Sequence, residues 1–297
     1  MAPGSVTPKM NKVENSVICN SNTHGPPYGQ LHIYYLQGKV QFPTGCLGEN
    51  FIGNWEEDGF SFLFFSKSSD KIVQKFIEKQ GGLTLLDQYQ MPYDQWQGGR
   101  LSCLQINPFL IVPPWESEAI TLENRDMTKI LLDPGVVFGN GLHATTRDCV
   151  EALGWLCSAK TVNSALDLGC GTGILALAAC KLGCKTCLAL DFNLLACQTA
   201  IQNVRLNGLG NNILVAQARA ENFVDLNAEL LMANIHYDIM KKIVQVKGFF
   251  RKRWFILSGL LRSQAEDIAQ QLKRPGVTIL KKWERDGIWH TFLGEIH

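Results

Sequence analysis

The residues with the clearest chemistry are Asp167-Leu168-Gly169-Cys170-Gly171-Thr172-Gly173. They join the end of an apolar run to the start of a helical one. Three small residues let the backbone turn sharply and approach a ligand. Backbone N–H groups at a helix start lack intrahelical acceptors, so the reading expects them to face that ligand. A dinucleotide fingerprint spaces its glycines G-x-G-x-x-G and holds a pyrophosphate. Here the spacing is G-x-G-x-G with an acid two residues ahead. That pattern suits the amino-acid part of S-adenosylmethionine and makes Gly169, Gly171 and Gly173 candidate cofactor contacts. Asp191 follows Gly173 by 18 residues and closes the next apolar run. An acid there is placed to accept hydrogen bonds from a ribose diol.

A second group of candidates is Asn234-Ile235-His236-Tyr237. The crevice outside C-terminal strand ends is where α/β folds bind ligands. The N-x-x-Y spacing resembles the N-P-P-Y type motif of amine-directed methyltransferases. The Asn234 side-chain oxygen would accept an N–H from an incoming amine and orient its lone pair, a positioning role. A lysine acceptor must first lose a proton, since its free pKa is about 10.4. His236 and His143 are the candidate bases. A structural role is the expectation for each, because the reaction demands no strong base.

These residues need a scaffold. From 128 onward, strands and helices alternate. Ala165–Leu168, Thr186–Leu190, Ile213–Ala216, Leu230–Asn234 and Trp254–Leu257 read as buried strands. Ile174–Leu182, Leu194–Asn207, Asp238–Val246 and Ser263–Leu272 read as the helices between them. Thr278–Arg285 and Ile288–Ile296 close the chain as a hairpin at Asp286-Gly287. A parallel sheet covered on both faces and finished by an antiparallel hairpin is the class I methyltransferase layout, a Rossmann-like α/β fold of seven strands. Ahead of it, 29–90 reads as a small α+β domain close to a split βαβ module: strand 31–36, hairpin 51–65, helix 70–80 and strand 83–89, with no evident first helix. Residues 1–28 read as an unstructured tail. Residues 91–127 read as a connector containing one short strand, Phe109–Val112.

Composition excludes several classes. Formal net charge is +1, so no global field draws the chain to nucleic acid or an anionic membrane. No apolar run approaches the roughly 18 residues of a membrane helix, and no secretory signal is evident. The ten cysteines are scattered and read as reduced thiols rather than a disulfide framework. Cys180, Cys184 and Cys187 have the C-x3-C-x2-C spacing of cluster-binding enzymes, but they follow a complete cofactor loop, and Cys187 falls in a strand. The basic run Lys247, Arg251, Lys252, Arg253 is the support for a nucleic-acid amine substrate. A non-catalytic binding module is the remaining alternative, and it predicts a broken glycine loop.

A longer pattern precedes the cofactor loop: Leu132-Asp133-Pro134-Gly135-Val136-Val137-Phe138-Gly139-Asn140-Gly141-Leu142-His143-Ala144-Thr145-Thr146. Together with Met232-Ala233-Asn234-Ile235 and Ser258-Gly259-Leu260-Leu261, it resembles the ribosomal protein L-eleven methyltransferase (PrmA) family. The resemblance covers about 105–297. It implies a catalytic domain that binds S-adenosylmethionine, a small ferredoxin-like N-terminal domain that captures the protein substrate, and a cytoplasmic enzyme. The reaction implied is methylation of lysine or α-amino groups of that ribosomal protein; related lysine methyltransferases with this signature act on other proteins. Carried over by motif, cofactor contacts fall on Thr146, Gly169, Asp191 and Asn234. Thr145-Thr146 would otherwise serve only as a helix cap.

Overall fold

The computed structural model describes residues 11–12, 25–41, 47–117 and 127–297. The chain divides into two compact units, one of 1–16, 103–192 and 196–297, the other of 17–102 with 193–195.

The first strand, β1 (Asn11–Lys12), belongs to the larger unit. The smaller unit follows with β2 (Gln30–Gln37), β3 (Phe51–Glu57), β4 (Phe60–Phe65), α1 (Asp70–Gln80), β5 (Thr84–Pro92) and α2 (Tyr93–Trp96). Its antiparallel sheet runs β3-β4-β2-β5, the strand order of a split βαβ module. Alternate residues Tyr34, Leu36, Leu63 and Phe65 face α1 and bury Val73 and Phe76. Between β2 and β3 there is no α-helix among the described residues.

The larger unit contains β6 (Leu104–Ile106), β7 (Phe109–Val112), β8 (Thr128–Leu131), α3 (Ala144–Ala159), β9 (Ser164–Leu168), α4 (Ile174–Lys181), β10 (Thr186–Asp191) and α5 (Leu194–Leu206). It continues with β11 (Ile213–Gln217), β12 (Leu230–Asn234), α6 (Tyr237–Ile243), β13 (Trp254–Leu261), α7 (Arg262–Gln271), β14 (Val277–Arg285) and β15 (Trp289–Ile296). The main sheet has the order β1-β11-β10-β9-β12-β13-β15-β14. Strands β9 to β13 are mutually parallel, and β15 runs antiparallel between β13 and β14. The order reverses between β9 and its neighbours β10 and β12. That switch point leaves a crevice at the strand ends.

Strand residues alternate between two cores. Ala165, Ala189, Met232 and Ile256 face a cluster with residues of α3, α4 and α5. Leu166, Leu190, Leu231 and Phe255 face a second cluster with residues of α6 and α7. Burial on both faces explains why these strands read as unbroken apolar runs.

The structure differs from the sequence expectation in two places. The sheet has an eighth strand, β1, which pairs Asn11 with Gln217 and Lys12 with Ala216. It lies inside the segment expected to be unstructured; the edge of β11 offers open backbone groups for it. The rest of 1–24 lies outside the described residues. Residues 91–127, expected to be connector, are divided: 91–102, with the end of β5 and α2, belong to the smaller unit and 103–127 to the larger. There β6 and β8 flank β7 in a three-stranded sheet. Ile106, Phe109, Ile111 and Ile130 carry it into the first core cluster.

The outer edge of β8 is satisfied by side chains. Asn207 donates to Leu131 O at 2.7 Å and accepts from Leu131 N–H at 3.0 Å. One helical turn earlier, Asn203 accepts from Asp133 N–H at 2.8 Å and donates to Asp133 O at 2.8 Å and Thr172 O at 3.0 Å. Two amides on one helix face thus bond residues 131 and 133, as a neighbouring strand would. Replacing Asn203 by Ala removes the bonds it makes to one buried and two part-buried backbone groups. The expected loss is on the order of 2–4 kcal/mol, read as a lowered urea midpoint at unchanged m-value.

Candidate functional site

The glycine loop joins β9 to α4 at the switch point. Gly169 and Gly171 have φ of 76° and 52°, in the left-handed region where a side chain is strained. Space is also lacking. A Cβ on Gly169 would lie 2.2 Å from Ile235 Cγ2, and one on Gly171 would lie 2.5 Å from Phe138 O. Gly173 is the N-cap of α4.

The loop's donors are used internally, contrary to the expectation from the sequence. Gly169 and Cys170 N–H donate to Leu190 O at 2.7 and 2.9 Å, Thr172 N–H to Phe138 O at 3.2 Å, and Gly173 N–H to Cys170 O at 2.7 Å. Gly171 N–H donates to Asp191 Oδ2 at 3.0 Å. The loop therefore offers a ligand shaped space rather than a ring of free N–H groups. Asp191, at the end of β10, is brought against the loop as its spacing suggested, and part of its carboxylate is spent on holding Gly171.

The segment 132–143 lies over this loop. Thr172 Oγ1 donates to Gly139 O at 2.8 Å, so Thr172 bonds two consecutive residues of the segment. Its far end is fixed by His143, the N-cap of α3. His143 Nδ1 accepts from Thr145 N–H at 3.3 Å and lies 2.8 Å from Thr145 Oγ1. Its ring packs edge-on against Phe138 and Trp289 at 5.3 and 5.0 Å. Burial pulls the His143 pKa below its ordinary value. The capping role thus belongs to His143, not to Thr145-Thr146. Thr146 is buried in the first turn of α3, and its Oγ1 has no hydrogen-bond partner among the described residues. A buried hydroxyl without a partner costs roughly 1–3 kcal/mol. A polar ligand supplying one would recover that cost, so the residues fit a small amino-acid-bearing cofactor.

On the acceptor side, Asn234 ends β12 and is partly exposed. It pairs in register with Ser258 of β13. The neighbouring Ile235 packs on Gly169, which brings the Asn234 turn and the glycine loop together. Tyr237 is not part of this grouping. Its hydroxyl donates to Asp267 Oδ2 at 2.8 Å, tying α6 to α7, and that bond raises its pKa. His236 is exposed, 3.4 Å from Asp238 Oδ2. Three of the four residues of the basic run have local partners. Arg251 pairs with Asp225 at 2.8 Å, Lys252 Nζ donates to Leu226 O, and Arg253 stacks 4.3 Å over Trp254. Cys180, Cys184 and Cys187 are buried in the first core cluster.

Asp167 lies beneath the loop, fully buried. One carboxylate oxygen accepts from Ala176 N–H at 3.1 Å; Oδ1 has no partner among the described residues. Burial pushes its pKa up to about 7, opposed by the Ala176 bond and helped by nearby Asp191. The folded chain therefore binds this proton more tightly than the unfolded chain. Stability is expected to fall as pH rises from about 4, the ordinary value, to about 7. Asp167→Asn should flatten that part of the profile. Urea titrations of both proteins at stepped pH check this, and parallel profiles would refute it.

Comparison with known proteins identifies the family. Residues 94–295 match the model of the family described as Ribosomal protein L11 methyltransferase (PrmA). A ribosomal protein L11 methyltransferase of Clostridium botulinum (strain Alaska E43 / Type E3) is 33% identical over 192 residues, covering 63% of this chain and 58% of that protein. One from Alkaliphilus oremlandii is 33% identical, covering 64% and 59%. The chain thus spans a little under three-fifths of the length of these curated relatives. The crystal structure of a ribosomal protein L11 methylase from Lactobacillus delbrueckii subsp. bulgaricus superposes with a TM-score of 0.56 at 29% identity, covering 66% of this chain and all of that one. On the match across 94–295, this chain belongs to the PrmA family.

Proposed function

We propose that the chain is a protein N-methyltransferase. It transfers the methyl group of S-adenosylmethionine to lysine or α-amino groups, with ribosomal protein L11 as acceptor. The observation that carries this reading is the buried, unpartnered Thr146 hydroxyl in the signature helix of a PrmA-family chain. The names of the curated relatives support the acceptor. The unpaired thiols of the eight described cysteines suit a cytoplasmic site of action.

S-adenosylmethionine would supply an electrophilic methyl on a sulfonium. The chain's residues bind and orient. Gly169 and Gly171 keep the crevice open for the cofactor, Gly173 starts α4 beside it, Asp191 accepts from ribose hydroxyls, and the Thr146 hydroxyl meets the amino-acid end. Asn234 accepts an N–H of the incoming neutral amine and aims its lone pair. Catalysis then comes from positioning and exclusion of water. No described residue is needed as a strong base, and the capping role of His143 is consistent with that.

Thr146→Val preserves shape and removes the hydroxyl. It should raise the Kd for S-adenosylmethionine by roughly tenfold, measured by calorimetry, with little loss of thermal stability. The activity test is mass spectrometry after incubation with S-adenosylmethionine and either ribosomal protein L11 or unfractionated cell protein. Mass gains of methyl units on L11 amines support the full reading. Methylation of another protein alone keeps the chemistry and discards the acceptor. No methylation and no cofactor binding refute both.

A further inference from the structure

A polar chain runs through the larger unit from the part-exposed Arg285 and Glu151 to buried groups beside both halves of the site. Asp148 of α3 is fully buried. Arg285 Nε, at the end of β14, donates to its Oδ1 at 2.7 Å, and Arg285 Nη2 donates to both Glu151 oxygens at 3.0 Å. On the other side, Thr291 Oγ1 of β15 donates to Asp148 Oδ2 at 3.5 Å. With its proton directed at Asp148, Thr291 Oγ1 accepts from Ser258 Oγ at 2.5 Å, and Ser258 Oγ also lies 3.5 Å from Thr145 O. Both hydroxyls are fully buried.

The ends of this chain matter. Asp148 sits on α3 two residues after Thr146. Ser258 is the register partner of Asn234. The next residue, Gly259, lies so close that a Cβ there would sit 3.2 Å from Asn234 Oδ1. A buried carboxylate with hydroxyl partners is an expensive way to fill a core. An apolar set of similar volume is often as stable or more so. What the polar chain adds is directionality, because each bond fixes a distance between named atoms.

Resting on the functional reading above, we infer that Thr291 and Asp148 are positioning residues. Through Ser258 they set the spacing between the cofactor-side Thr146 and the acceptor-side Asn234. Neither touches a ligand. Their contribution appears only where a ligand must meet both halves at once.

The test uses the full chain and two ligands. One is S-adenosylhomocysteine, which engages the cofactor half. The other is a bisubstrate analogue, an adenosyl ligand with an aminoalkyl arm in place of the transferred methyl, which engages both halves. The wild-type chain should bind the bisubstrate ligand more tightly. Thr291→Val should leave the S-adenosylhomocysteine Kd within about twofold while reducing the bisubstrate advantage by roughly tenfold or more. Thr291→Ser, which keeps the hydroxyl, should restore it. Asp148→Asn should act in the same direction as Thr291→Val, and melting curves monitor the fold of each variant. An unchanged advantage in a folded Thr291→Val protein overturns the inference. So does equal weakening of both ligands that Thr291→Ser does not repair. A wild-type chain that binds neither ligand overturns the functional reading itself, and the inference falls with it.

Discussion

Two side-chain amides hold the site together. Asn203 and Asn207 present an edge of donors and acceptors to residues 131–133, and Asn203 also reaches the glycine loop at Thr172 O. The signature segment begins at Leu132 and has no regular secondary structure until α3. Its backbone groups need partners, since a buried loop without them is costly. The amides anchor its start, Thr172 anchors its middle, and the His143 cap anchors its end. Everything proposed for Thr146, Asp191 and the glycines depends on that segment lying where these bonds put it.

The glycine loop obeys the same economy. Its five consecutive N–H groups are satisfied by Leu190, Asp191, Phe138 and Cys170. A loop so completely bonded is preorganised. Its geometry does not wait for a ligand to supply missing partners, and its small residues are required by close packing against Phe138 and Ile235. The polar group left unpaired in the signature helix is a threonine hydroxyl, which a ligand can satisfy without disturbing the backbone.

Much of this was legible in the sequence, for identifiable reasons. The strands of the main sheet are buried on both faces, so continuous apolar runs marked them to within a few residues. The Asp286-Gly287 turn fixed the final hairpin. Strands β6 and β8 were not legible: β7 is an unbroken apolar run, Phe-Leu-Ile-Val, whereas Leu104-Gln105-Ile106 and Thr128-Lys129-Ile130-Leu131 mix in polar residues over too short a length to establish a period. Asn203 and Asn207 were missed because asparagine inside a helix reads as an exposed polar face; only the neighbouring strand edge reveals their use. Tyr237 misled because sequence spacing places a residue near a strand end but does not say where its hydroxyl points. The free N–H groups expected at the loop were an error of the same kind: helix geometry leaves them without partners, and tertiary structure supplied the acceptors.

At its start and middle the signature segment is held without formal charge. Amides, carbonyls and a threonine hydroxyl hold it there, and none of these gains or loses a proton across the physiological range, whereas the His143 cap at its end works only while Nδ1 is unprotonated. Counterions screen charged pairs but have little purchase on neutral hydrogen bonds. The start and middle of the segment are accordingly held by bonds that added salt should leave in place.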